Sequence, residues 1–216
     1  MKIERFNKVS GSGCTLLSGT DRYGYSVNIY YDFYEMDEIY KDGRIFSNEL
    51  RIYDLKNNTV RVPFERKDNI GYTKPHYSDG LIYFLQGDFN DRKIKLFKMK
   101  FDSEVELVYE IKVDDVNLYN ISIVGDEIHI VSSDEILECY YPEKFKLKLK
   151  ENESVILIEG DLIYLSEWYE EGVDDFEITN EYKYYEKVIV KNKKGEKVSE
   201  EIGSLELFPD GIWRIS

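Results

Sequence analysis

The chain has 216 residues, enough to enclose one sizeable hydrophobic core, and 42% of them are hydrophobic. Its formal net charge of −14 repels phosphate backbones and anionic lipid headgroups, so neither nucleic acid nor a membrane surface is expected as a partner. The chain contains no alanine but 19 tyrosines and 11 phenylalanines. Because aromatic side chains fit a pleated sheet, this composition favours an all-β fold, although an AT-rich coding sequence would give the same bias.

Short runs of alternating apolar and polar residues, bounded by turn residues, predict strands along the whole chain. In sequence order they fall into five units, and helical content is expected to be small. The predicted strands are 25–31, 50–55 and 59–64; 74–78, 81–85, 93–101 and 105–111; 118–124, 127–131, 136–141 and 145–149; 155–158, 162–165, 187–191 and 197–202; and 205–208 and 212–215.

Each unit also contains an isoleucine followed at once by a ring residue, and in the last four units this pair follows a turn of glycine and aspartate. Such turns predict hairpins, because glycine and aspartate tolerate positive φ. Consecutive pairs are 35 to 53 residues apart, which is typical of four-stranded propeller blades. The pairs are Ile29-Tyr30, Ile82-Tyr83, Ile128-His129, Ile163-Tyr164 and Ile212-Trp213.

These hairpins resemble those of the β-propeller proteins, and the chain looks most like uncharacterised bacterial propeller-like proteins. It lacks the Gly-His and Trp-Asp pairing of WD40 repeats and the double glycine of kelch repeats. The resemblance implies one domain over residues 1–216, a β-propeller of about five short antiparallel blades, and implies nothing about function. The fifth unit has only two strands, so we expect residues 2–6 to supply an N-terminal strand that closes the ring. A β-sandwich or a pair of meander sheets is the structural alternative.

Two units are long because each carries an insertion after its second strand, at residues 32–48 and 167–186. Insertions in repeats often form the binding face, and aromatic rings with carboxylates can recognise sugars, cations or basic side chains. The alternative is that the rings pack the loops onto the scaffold while the acids solvate them. The candidate ligand contacts are Phe33, Tyr34, Tyr40 and Arg44 in the first loop and Trp168, Tyr169, Asp174 and Asp175 in the second.

Signals for catalysis or metal binding are weak. The chain has two histidines, and His76, beside Pro75 in a predicted strand, is kept as a further candidate contact. Asp174 and Asp175 lack the spacing of a calcium loop, and neither a phosphate loop nor a nucleophile elbow is present. We therefore expect no cofactor and no metal.

The most favoured function is a non-enzymatic binding or protein-interaction module with a protein or carbohydrate ligand. The alternative is a carbohydrate-binding protein or carbohydrate-active enzyme with carboxylates near the ring centre, since the separation of a catalytic pair is invisible in sequence. The N-terminus has no apolar segment of signal-peptide length, so the cytoplasm is expected. The sequence indicates neither the identity of the ligand nor the oligomeric state.

Overall fold

The computed structural model describes residues 2–9, 13–28, 31–174 and 177–216, and for 173, 174 and 177–180 it describes the backbone only. The chain forms small antiparallel sheets with consecutive strands side by side, the arrangement of propeller blades. The predicted all-β fold of small, propeller-like antiparallel sheets is therefore confirmed. The predicted count of five blades is wrong, because the described residues form four blade-like sheets and one two-stranded sheet.

The first sheet has the strand order β1-β2-β3-β4. A helix, α1, lies between β2 and β3, where the sequence predicted a loop. Asp32 caps it by accepting from the Glu35 backbone N–H, while the Glu35 side chain accepts from the Asp32 N–H. The elements are β1 (Thr15–Leu16), β2 (Tyr23–Val27), α1 (Phe33–Lys41), β3 (Leu50–Asp54) and β4 (Thr59–Arg61).

The second sheet has the order β5-β7-β8-β9, and β6 also pairs with one end of the long strand β7. Asp79 and Gly80, both at positive φ, join β6 to β7, as the two-residue turn predicted. The strands are β5 (Ile70–Tyr72), β6 (His76–Ser78), β7 (Leu81–Asp88), β8 (Lys93–Met99) and β9 (Glu106–Lys112), followed by a 3₁₀ turn at Val113–Asp115.

The remaining sheets follow the same consecutive pattern. The third is β10 (Ser122–Val124), β11 (His129–Ser133), β12 (Ile136–Tyr141) and β13 (Phe145–Lys148); the fourth is β14 (Glu153–Glu159), β15 (Leu162–Asp174), β16 (Glu177–Asn192) and β17 (Lys197–Ile202); and the fifth is β18 (Leu205–Leu207) and β19 (Trp213–Ile215).

The N-terminal segment does not form the predicted closing strand. Residues 2–6 have no strand conformation, and no sheet among the described residues is closed. The segment lies along β4 instead: the Val60 N–H donates to Asn7 Oδ1 at 2.8 Å, and the Asn7 N–H donates to the Asn58 carbonyl at 3.0 Å. Phe6 packs edge-on against Tyr53, with ring centroids 5.0 Å apart. The segment therefore covers one edge of the first sheet, which leaves that edge less open to other strands.

The chain divides into two compact units, Met1–Ile123 with Phe208–Ile212, and Val124–Leu207 with Trp213–Ser216. In the first unit, the first and second sheets share a core that includes Ile52 and Phe84. In the second unit, the third and fourth sheets share a core that includes Leu137 and Leu165. A single domain over residues 1–216 stays a prediction. None of the helices in the described ranges is long and apolar enough to cross a membrane.

Candidate binding surface on the fourth sheet

The insertion at residues 167–186 is not a loop but a continuation of the fourth sheet. Strand β14 pairs with β15 only as far as Glu167. Strand β17 pairs with β16 only from Lys187 to Lys191. Beyond these points β15 and β16 continue as a two-stranded ribbon, here called the arm, which comprises residues 168–174 and 177–186. The arm is rich in Tyr, Trp, Val, Ile and Thr, the residue types that favour strands.

The register of the arm decides which side chains share a face. Trp168 lies opposite Glu186, Tyr169 opposite Tyr185, and Glu170 opposite Tyr184. Because side chains alternate along a strand, Trp168 and Tyr169 project from opposite faces. One face, here called the ring face, carries Trp168, Glu170, Tyr182, Tyr184 and Glu186. The other, here called the stacked face, carries Tyr169, Glu171, Lys183, Tyr185 and Lys187.

Exposed rings and carboxylates make up the ring face. Trp168, Tyr182 and Tyr184 are 43%, 37% and 52% exposed. The Tyr182 hydroxyl donates to Glu170 Oε1 at 3.1 Å, and the Tyr184 hydroxyl donates to Glu186 Oε1 at 2.9 Å. These hydrogen bonds raise the pKa of both tyrosines, because each favours the phenol over the phenolate. The two tyrosines are thereby held in place beside acids while their rings stay open to solvent.

The stacked face is more covered and stabilises the arm. The rings of Tyr169 and Tyr185 are nearly parallel, with centroids 5.1 Å apart. Lys187 Nζ lies 5.0 Å from the centre of the Tyr169 ring, and the Tyr185 hydroxyl donates to Glu171 Oε1 at 3.1 Å. A two-stranded ribbon is marginally stable by itself, so these contacts are needed to keep the arm in one conformation.

At the base of the arm, two buried carboxylates anchor it to the sheet. Glu153 and Glu167 lie directly opposite each other on β14 and β15, and their side chains are 0% and 4% exposed. Lys191 Nζ lies 2.7 Å from Glu153 Oε1, and Lys150 pairs with Glu167. Burial alone would raise the pKa of Glu167, but hydrogen bonds from Lys150 and Tyr169 outweigh it and lower that pKa. Each acid is neutralised and enclosed, which suits a structural role better than contact with a sugar.

The four candidates of the first insertion occupy different positions on and near α1. Phe33 is only 1% exposed and packs edge-on against Phe89, so it belongs to the core. Tyr40 also contacts Phe89, with ring centroids 6.4 Å apart. Tyr34 is 46% exposed, and Arg44 is exposed and pairs with Asp42. The structure therefore leaves Tyr34 as the exposed aromatic ring among them.

The candidates outside α1 are also separated. Trp168 and Tyr169 lie on the two faces of the arm. Asp174 is the last residue of β15 and only its backbone is described, while Asp175 lies outside the described residues. His76 begins β6, opposite Tyr83 on β7. The two insertions belong to different compact units, and ligand contact by any of these residues stays a prediction.

Sequence reasoning missed Tyr184 and Glu186 as surface partners of Trp168. A signal was present: three of the five residues 182–186 are tyrosines, a residue type that favours strands.

Within the described ranges, no group of three or more histidine, cysteine, aspartate or glutamate residues is arranged to hold a metal ion. No protein-family model matches this sequence, and a comparison with curated proteins finds no significant match.

Proposed function

We propose that this chain is a non-enzymatic binding module that captures a protein partner through the ring face of the arm. The observation that supports this most is the gathering of three half-exposed rings, those of Trp168, Tyr182 and Tyr184, on one side of a two-stranded ribbon. Tryptophan and tyrosine supply much of the binding energy in protein interfaces, because they bury large areas at a small cost in side-chain entropy.

The arm is also preorganised for binding. Its register is fixed by the Tyr169 and Tyr185 stack on the opposite face and by the buried acids at its base. A rigid surface loses less conformational entropy on association than a flexible loop, so more of the contact energy remains as affinity.

The experiment is a screen of the full chain against a peptide array and a glycan array, at matched concentrations. Trp168→Ala and Tyr184→Ala remove rings from the proposed surface. Tyr34→Ala is the matched control, because Tyr34 is an exposed aromatic of the other insertion. We expect peptide hits that lose at least about tenfold in affinity in both arm variants, as is common for central aromatic contacts, and keep it in Tyr34→Ala. Hits that depend on Tyr34 alone, or no peptide hit at all, would contradict the proposal.

A carbohydrate ligand is the second candidate, because exposed rings also stack on sugar faces and Glu170 can accept hydrogen bonds from hydroxyl groups. The same screen separates the two. A glycan hit that requires Trp168, without any peptide hit that requires it, would replace the protein partner by a sugar.

A further inference from the structure

We propose that the ring face selects an extended protein segment that carries two arginines with one residue between them. This inference rests on the proposed function and names the chemistry of the partner. It follows from how charge, rings and carboxylates are distributed over the arm.

The two faces of the arm differ in their cations. Lys183 and, at the start of the arm, Lys187 lie on the stacked face together with the acid Glu171, whereas the charged side chains on the described part of the ring face are the acids Glu170 and Glu186. The ion pairs of the described residues include neither of these two acids. The ring face therefore presents negative charge without a compensating cation, and a basic partner would supply one.

Both acids keep room for a further donor. A carboxylate has about four acceptor positions. Glu170 accepts the hydroxyl of Tyr182, and Glu186 accepts those of Tyr184 and Ser166. Hydrogen bonds from Tyr184, Ser204 and Ser166 together lower the pKa of Glu186. Neutral hydroxyl groups hold the carboxylates in place without cancelling their charge, which leaves Glu170 as the more open of the two.

Rings and acids alternate across the ribbon. Trp168 faces Glu186, and Glu170 faces Tyr184, so each directly opposite pair combines one ring with one carboxylate. Such pairs have Cβ atoms about 4.5–5.5 Å apart. A guanidinium group is planar, stacks on aromatic faces and presents several N–H donors in its own plane, so it can lie on the ring while it donates to the neighbouring acid. A lysine ammonium group lacks this planar geometry.

The two ring and acid pairs are two residues apart along each strand. Same-face neighbours on a strand are about 6.6–6.8 Å apart, because each residue advances the strand by about 3.3–3.4 Å. An extended segment lying on the ring face repeats its side chains at the same interval. Arginines at positions i and i+2 therefore meet the two pairs together, whereas adjacent arginines would project to opposite sides of the segment.

The experiment is a fluorescence-anisotropy titration of the full chain with a labelled peptide, Ser-Gly-Arg-Thr-Arg-Gly-Ser, at an ionic strength of about 0.15 M, where the Debye length is about 8 Å. Two comparison peptides replace both arginines by lysine or place the arginines side by side. Glu170→Gln removes a charge from the ring face, and Glu171→Gln is the matched control because it removes the same charge from the neighbouring residue on the stacked face.

We expect the first peptide to bind at least about fivefold more tightly than either comparison peptide. A guanidinium group can stack on a ring and donate hydrogen bonds to the neighbouring carboxylate at once, whereas a lysine ammonium group cannot. Glu170→Gln should weaken binding of the first peptide by at least about fivefold, and Glu171→Gln by less than about twofold, because the Glu171 side chain lies on the other face of the arm and glutamine keeps an oxygen that can accept the Tyr185 hydroxyl. Absence of binding, equal binding of the lysine peptide, or equal effects of the two variants would overturn this inference. Array hits that need Trp168 but contain no such arginine pair would overturn it and leave the proposed function intact.

Discussion

Tyr169 lies directly opposite Tyr185 across the two strands of the arm, and their rings stack with an interplanar angle of 10°. This contact lies on the face opposite Trp168. It therefore stabilises the arm without occupying the surface proposed for binding.

Replacement of Tyr185 by alanine should loosen the arm and leave the rest of the fourth sheet intact. Loss of an aromatic pair costs about 0.5–1.5 kcal/mol, and the arm has no third strand to compensate. Hydrogen exchange should show faster exchange of arm amides with unchanged protection in β14. Tyr119→Ala, which removes an exposed tyrosine of the other unit, is the control. Equal arm protection in wild type and Tyr185→Ala would contradict the stabilising role of the stack.

Replacement of Lys191 by methionine should destabilise the chain strongly. Its ammonium lies 2.7 and 2.8 Å from the two oxygens of Glu153, a carboxylate that is fully buried. Removing one partner of a buried ion pair costs about 3–5 kcal/mol. The loss should lie near the lower end here, because Lys150 Nζ remains 4.0 Å from Glu153 Oε1. Urea denaturation measures the difference.

The matched control is Lys197→Met in the same sheet. Lys197 pairs with Glu200, but both side chains are about half exposed, so its loss should cost about 0.5 kcal/mol or less. The double variant Lys191→Met with Glu153→Leu should recover part of the stability lost in Lys191→Met, because it removes the buried Glu153 carboxylate that has lost its lysine partner. If Lys191→Met and Lys197→Met behave alike, the buried pair does not anchor the sheet.

We expect the stability of the chain to depend on pH because the pKa of Glu167 differs between the folded and unfolded states. Its pKa is lowered in the folded chain because hydrogen bonds from Lys150 and Tyr169 outweigh the effect of burial. The stabilisation is therefore complete above the unfolded pKa of about 4.3 and is lost as the pH falls through the lower folded value. The free energy of unfolding should fall more steeply below about pH 5 in wild type than in Glu167→Gln. Denaturation at several pH values, with exposed Glu151→Gln as control, tests this; parallel curves for wild type and Glu167→Gln would refute it.

The two cysteines should differ in reactivity. Cys139 is 2% exposed, and burial raises the pKa of its thiol to about 11. Cys14 is exposed, although desolvation raises the pKa of its thiol as well. Because the thiolate is the reactive form, a disulfide reagent should modify Cys14 in the native chain and Cys139 only after unfolding. The native Cys14→Ser variant should show no fast phase of reaction with the disulfide reagent. A fast native reaction of Cys139 would show that the core of the second unit opens readily.

Much of the secondary structure was predictable because it depends on neighbours in sequence. Strands β12 and β17 have the predicted bounds, and the turn at Asp79 and Gly80 joins β6 to β7. Helix α1 was missed although Asp32 and Glu35 form a capping box, since the surrounding aromatic residues were interpreted as a binding loop. The contacts of Phe33 and Tyr40 with Phe89 explain part of that aromatic content as packing, whereas Tyr34 is exposed.

The candidate surface was predicted only in part. The sequence predicts a binding loop that contains both Trp168 and Tyr169, but strand geometry places them on opposite faces. Two residues that complete the ring face, Tyr184 and Glu186, lie 16 and 18 residues after Trp168 in the sequence. Their position opposite Trp168 and Glu170 depends on the register of β15 against β16, and a shift of one residue would move the side chains of β16 to the other face of the arm.

The sequence by itself determined the all-β class, most strand positions and the hairpin turns, because alternation and turn chemistry act over a few residues. Only the tertiary structure decided the number of sheets, the course of the N-terminal segment along β4 and the extension of the fourth sheet into an arm. These features depend on which backbone edges meet and in which register, and such pairings join residues that are distant in sequence. The division of the arm into a ring face and a stacked face is a consequence of that register.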